Sequence, residues 1–182
     1  DIATLAAAVG AALDTLDVEN PHLVGHSLGG AVAMAVAKAR PPASLTLIAS
    51  AGLGAEINGE FIRGFIAMQR RREAVEVLNQ LVRDPALVSR SMVEDVLRYK
   101  RLDGVNAALE AIAAACFPGG EQSPSLAAGV TGRAQTIWGR DDRIVPVAHA
   151  GADAHILDDV GHLPHMEKSG EVARLIARFI EG

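Results

Sequence analysis

The sequence predicts an α/β fold, with a parallel sheet flanked by helices and a long helical insertion between strands. Three observations point there. Short apolar runs alternate with longer segments whose apolar residues recur at helical spacing. The run Ser44-Leu45-Thr46-Leu47-Ile48-Ala49 is apolar almost throughout, as suits a strand buried on both faces. A serine between glycines, in Gly25-His26-Ser27-Leu28-Gly29-Gly30, sits where a strand gives way to a helix.

The elements follow in order. Ile2, Leu5, Ala6, Val9, Leu13 and Leu16 mark a helix that Asp1 caps and that runs to about Asp17. His22 to Gly25 is the first strand, and Ala31 to Ala39 belongs to a helix ended by Pro41-Pro42. Ser44 to Ala49 is the second strand. The loop Ala51-Gly52-Leu53-Gly54 lies at its end, where open α/β sheets place ligand-binding loops. From Ile57 to about Phe117 the pattern is helical, with stripes at Phe61, Ile62, Phe65, Ile66 and Met68 and at Val75, Leu78, Leu81 and Val82. Ser89 or Ser91 is placed to cap a helix through Tyr99, and Asp103 one through Ala115. Pro118 to Pro124 reads as a linker. Thr136 to Gly139 is a strand running into a loop, Ala154 to Leu157 is another strand, and a helix from about Gly170 to Ile180 turns Val172, Leu175, Ile176 and Phe179 inward.

The glycines two before and two after Ser27 match the nucleophile-elbow pattern. The turn is sharp, so side chains at Gly25 and Gly29 are expected to collide, and glycine tolerates the strained backbone. The elbow lifts the Ser27 hydroxyl out of the sheet. It also offers the backbone N–H of Leu28 as an oxyanion donor. The plain alternative is an ordinary Gly/Ser turn. A serine hydroxyl is a poor nucleophile at neutral pH and needs a base, itself oriented by a carboxylate. The C-terminal third holds Asp141, Asp142, Asp158, Asp159 and His162.

At these residues the chain resembles the α/β-hydrolase family, over nearly its whole length. That family often carries W-G-x-x-D-x-x-x-P after the strand bearing the acid. Trp138, Gly139, Asp142 and Pro146 fit it, which implies the acid at Asp142 rather than Asp141. Gly161-His162 after the last strand implies the base at His162. The implied triad is Ser27, Asp142 and His162, with Asp158 and Asp159 left as turn residues. The resemblance implies a single domain over 1–182, with a core of 1–55 and 125–182 and a helical lid at about 56–124. It also implies that strands before Ser27, carrying a second oxyanion donor, belong to the fold. The expectation is a truncated α/β-hydrolase fold, weak or inactive alone. The open edge of its first strand is expected to pair with another chain in a homo-oligomer.

The other reactive side chains read as structural. His26 lies beside Ser27, where it is placed to shape the pocket wall, but its neighbour position points it away from the reacting atom. His22, His149 and His155 have no partner pattern. Pro164 breaks the helix that would align His162 and His165, so no metal site is expected. Cys116, the single cysteine, reads as a small buried hydrophobe. Arg70-Arg71-Arg72 reads as a solvated helix face, with contact to coenzyme A phosphates or an acidic partner domain as the alternative.

Composition bounds the rest. Apolar residues make up 49% and aromatics 3%, with a net charge of -5, so a core is attainable and nucleic acid is not an expected partner. One cysteine suits a reducing cytoplasm. No apolar run reaches membrane-spanning length.

Ala51 to Phe65 and Met92 to Val105 are similar to the hydrolase-type domain of the E2 component of acetoin dehydrogenase complexes, a dihydrolipoyllysine-residue acetyltransferase. That similarity implies acetyl transfer from dihydrolipoamide to coenzyme A, both as substrates with no tightly bound cofactor. It also implies a lipoyl domain and other dehydrogenase-complex subunits as partners. An esterase or thioesterase, with water as acceptor, and a non-catalytic scaffold domain stay open as alternatives.

Overall fold

A computed structural model describes residues 1–123 and 126–182. Its sheet contains β1 (His22–His26), β2 (Ser44–Ile48), β3 (Ala134–Gly139) and β4 (His155–Leu157), all parallel and in the order β1-β2-β3-β4. Side chains alternate between the faces of a strand. On β2, Leu45 and Leu47 therefore meet α2 (Leu28–Ala39) through Ala33, Met34 and Ala37, while Ile48 meets the C-terminal helix α7 (Ser169–Glu181) through Val172. Every residue of β2 is buried, as its apolar run requires. Helix α1 (Ile2–Thr15) packs on α2, with the Asp1 carboxylate accepting the Thr4 N–H at 2.9 Å. β1 lies at the edge of the sheet, and Val24 is 49% exposed.

Between β2 and β3 the chain forms α3 (Gly59–Ala67), α4 (Arg71–Leu78), α5 (Arg90–Lys100) and α6 (Val105–Cys116). These helices have a small core of their own, built on Met68, Ala74, Leu78, Val93 and Leu97. Asn58 caps α3 by accepting the Phe61 N–H at 2.9 Å. Ser89, rather than Ser91, caps α5 by accepting the Met92 N–H at 3.1 Å. The expected Asp103 cap does not form. Gly104 takes that place at φ 81, a left-handed conformation that glycine adopts without a side-chain clash. The linker reading at Pro118–Pro124 falls partly on a 3₁₀ turn, Pro118–Gly120, and its Pro124 lies outside the described residues, as does Ser125 at the expected core boundary. No helix among the described residues is long and apolar enough to cross a membrane.

A fourth cluster joins the insertion to the sheet. Trp138, Ile144 and Val145 pack with Ile57, Phe61 and Leu81. Trp138 is fully buried, and its indole N–H donates to the Val145 carbonyl at 3.1 Å. That bond anchors the loop after β3, which carries Asp142. Trp138→Phe leaves the carbonyl without its donor and is expected to lower unfolding free energy by about 1–3 kcal/mol in urea titration.

Candidate active site

Ser27 lies between the last residue of β1 and the first of α2, at φ 52 and ψ -123. Positive φ is uncommon for a residue with a Cβ and persists only where the surroundings impose it. They impose it on both sides. The Ser27 N–H donates to the Ile48 carbonyl at 3.0 Å, and the Ser27 carbonyl accepts the N–H of Gly30 at 2.9 Å and of Ala51 at 3.0 Å. The end of β2 thus clamps the serine peptide. Among the described residues the Leu28 N–H has no acceptor and is left as a free donor at the start of α2.

Of the two glycines flanking Ser27, only Gly25 is crowded. A Cβ on Gly25 would lie 2.5 Å from the Gly29 carbonyl oxygen. A Cβ on Gly29 would meet nothing within 4 Å. The second crowded position is Gly30, where a Cβ would lie 2.1 Å from the Ser50 hydroxyl. The reason is tertiary: α2 is pressed against the end of β2, and Gly30 faces that contact while Gly29 faces out.

Asp142 and His162 come together. His162 Nδ1 lies 2.8 Å from Asp142 Oδ2, and the Asp142 side chain is wholly buried. Asp142 Oδ1 accepts the N–H of Ile144 at 2.8 Å and of Val145 at 3.0 Å. A carboxylate only accepts, so Nδ1 carries a proton, and in the neutral ring Nε2 is then the acceptor. Asp141 turns away to Arg83, at 3.4 Å, and Asp158 pairs with Arg140. The structure thus joins Asp142 to His162, while among the described residues the Ser27 hydroxyl makes no hydrogen bond to either.

The helical insertion grips the same loops, which the sequence reading did not anticipate. The His162 N–H donates to the Leu81 carbonyl at 2.8 Å, and Arg143 donates to the Val82 carbonyl at 2.9 Å. Glu167 accepts the N–H of Gly161 and of Arg83, each at 2.7 Å. Gly161 is required there, because an added Cβ would lie 2.8 Å from the Leu81 carbonyl oxygen. No motif marks the turn at 81–83, since its role is set by what packs against it.

His26 is the other residue that the sequence undervalued. Its Nε2 lies 2.8 Å from the His162 carbonyl oxygen. Its ring centroid is 4.8 Å from that of His162 and 4.7 Å from that of His165. Burial, and then the His162 ring, push His26 down from 6.5 to about 4. Burial also lowers His165, with His162 adding to it. Elsewhere, His22 Nδ1 meets the Ser44 hydroxyl at 2.8 Å and His149 Nε2 meets Glu56 at 2.6 Å. Cys116 is buried with a free thiol that burial raises.

Residues 1–175 match the model of the alpha/beta hydrolase family. The chain belongs to the alpha/beta hydrolase family. It is 43% identical to the dihydrolipoyllysine-residue acetyltransferase component of the acetoin cleaving system of Pseudomonas putida, over 99% of this chain and 50% of that protein. It is 39% identical to the component of the same name in Cupriavidus necator, over 100% of this chain and 51% of that protein. The chain thus spans about half the length of the curated relatives it matches. Among solved structures, a meta-cleavage product hydrolase from Pseudomonas fluorescens IP01 superposes with a TM-score of 0.78 at 19% identity, over 95% of this chain and 69% of that one. A bacterial membrane phospholipase A superposes with a TM-score of 0.80 at 21% identity, over 100% and 63%. At those identities the likeness shows the fold.

Two measurements check this geometry. Gly25→Ala is expected to lose more than about 1 kcal/mol of stability by overpacking. Gly29→Ala is expected to be neutral, or to gain up to about 1 kcal/mol from helix propensity. Denaturant midpoints of the two variants separate these outcomes. The second measurement concerns pH. His26 is lower in the folded state, so between pH 6.5 and about 4 the unfolded chain binds more protons. Stability therefore falls as pH drops through that window. In His26→Gln, denaturant midpoints are expected to fall less steeply over the same window.

Proposed function

We propose that this chain performs acyl transfer through an ester on Ser27, with His162 as base and Asp142 as its orienting acid. The observation that carries the reading is the dry Asp142–His162 hydrogen bond. It fixes the tautomer whose Nε2 can accept a proton. The strained backbone of Ser27 at a strand–helix junction supports it as nucleophile.

In this reading Nε2 takes the Ser27 proton as Oγ attacks an acyl carbonyl. The tetrahedral oxyanion gains the Leu28 N–H, worth about 10²–10³ in turnover for a donor of this kind. Collapse expels the leaving thiolate, which takes its proton from His162. The acceptor then delivers a proton to His162 and attacks the acyl-serine, and Oγ leaves with that proton. The finer reading is acetyl transfer from dihydrolipoamide to the thiol of coenzyme A, with a lipoyl domain and other subunits of a dehydrogenase complex as partners. It is supported by the 43% and 39% identity to components so named.

Mass spectrometry of the whole protein after incubation with S-acetyl-dihydrolipoamide tests it. An acetyl group on Ser27, discharged faster by coenzyme A than by water, is expected. Equal discharge by both would make the site a thioesterase. Transfer that survives in Ser27→Ala would exclude the acyl-serine route and leave a scaffold role. Asp142→Asn is expected to lower kcat by about 10⁴, because an amide facing Nδ1 favours the wrong tautomer.

A further inference from the structure

We propose that His26 is a positioning residue, whose Nε2–H grips the backbone carbonyl of His162 and so fixes the base relative to the serine that follows His26 in sequence. The inference rests on the acyl-serine reading of Ser27 and His162. The contact spans 136 residues of sequence at 2.8 Å. A carbonyl oxygen can only accept, so Nε2 of His26 must carry the proton. The bond therefore ties together the two loops that have to align.

Only two backbone groups of His162 are available for such a grip, and both are used. Its N–H is held by the Leu81 carbonyl from the helical insertion, and its C=O by His26 from the elbow. The imidazole is held separately by Asp142. The base is thus fixed at three points, and the one supplied by His26 is joined covalently to Ser27.

The surroundings keep His26 a neutral donor. Its ring is packed among His162 and His165, with the Asp142 carboxylate beyond His162. Burial in that company holds it at about 4, so it carries no charge at neutral pH. A cation there would oppose the positive charge that His162 must take up as it accepts the Ser27 proton. An imidazole kept neutral by burial provides the N–H without that penalty, which an arginine or lysine at this position would impose.

The test compares His26→Leu and His26→Gln with the native residue in the whole protein, by acyl-transfer kinetics and imidazole NMR. His26→Leu is expected to lower kcat about 10- to 100-fold, the cost of a misaligned reacting pair, with KM changed by less than about twofold. His26→Gln is expected to recover most of kcat, since its amide N–H can reach the same carbonyl. In the native protein, nitrogen NMR is expected to show His26 neutral with its proton on Nε2. The downfield His162 Nδ1–H signal is expected to be sharp in the native and Gln forms and broadened in the Leu form. A native His26 protonated on Nδ1 overturns the proposal even if neither variant folds. So does full kcat in His26→Leu, or equal loss in both variants. Failure of the acyl-serine reading would show separately, as transfer surviving in Ser27→Ala.

Discussion

A carboxylate with no exposed side-chain surface is tolerated only where donors meet its charge. Asp142 is such a group, and the loop around it is shaped by that demand. The N–H groups of Ile144 and Val145 converge on one oxygen, and His162 Nδ1 meets the other. Both backbone donors come from the stretch that packs with Trp138, so the apolar core and the charged pair are secured by the same residues. Removing the core contact would loosen the donors, and removing the donors would leave a buried charge unmet.

The same pair is held from outside the sheet. The turn at Leu81 and Arg83 sits in the helical insertion, yet it contacts the His162 loop directly and through Glu167. The insertion therefore does more than cover the strand ends. It is part of the frame that fixes the imidazole. Any movement of the helices that carried this turn would be felt at the His162 imidazole.

Much of this was legible in the sequence where the signal is local. The Ser44–Ile48 run announces a buried strand by composition alone, and the glycine two before Ser27 is dictated by the bend it occupies. The pairing of Asp142, rather than Asp141, with His162 followed from a spacing and not from physics, since adjacent carboxylates are alike until the fold separates them. What stayed hidden depends on contacts distant in sequence. Gly30 is required because Ser50 lies against it, and His26 matters because a loop 136 residues away offers it a carbonyl. Asp103 looked like a helix cap because caps are read from residue type, whereas the local φ selected Gly104.

In the proposed mechanism Nε2 of His162, held by Asp142, activates Ser27. The most direct test is the rate at which a small phosphonofluoridate labels the whole protein, with the site located by peptide mass spectrometry. One label is expected, on Ser27, with a rate about 10²–10⁴ lower in His162→Ala, the usual contribution of a general base. Labelling at another residue, or a rate unchanged in His162→Ala, would contradict it.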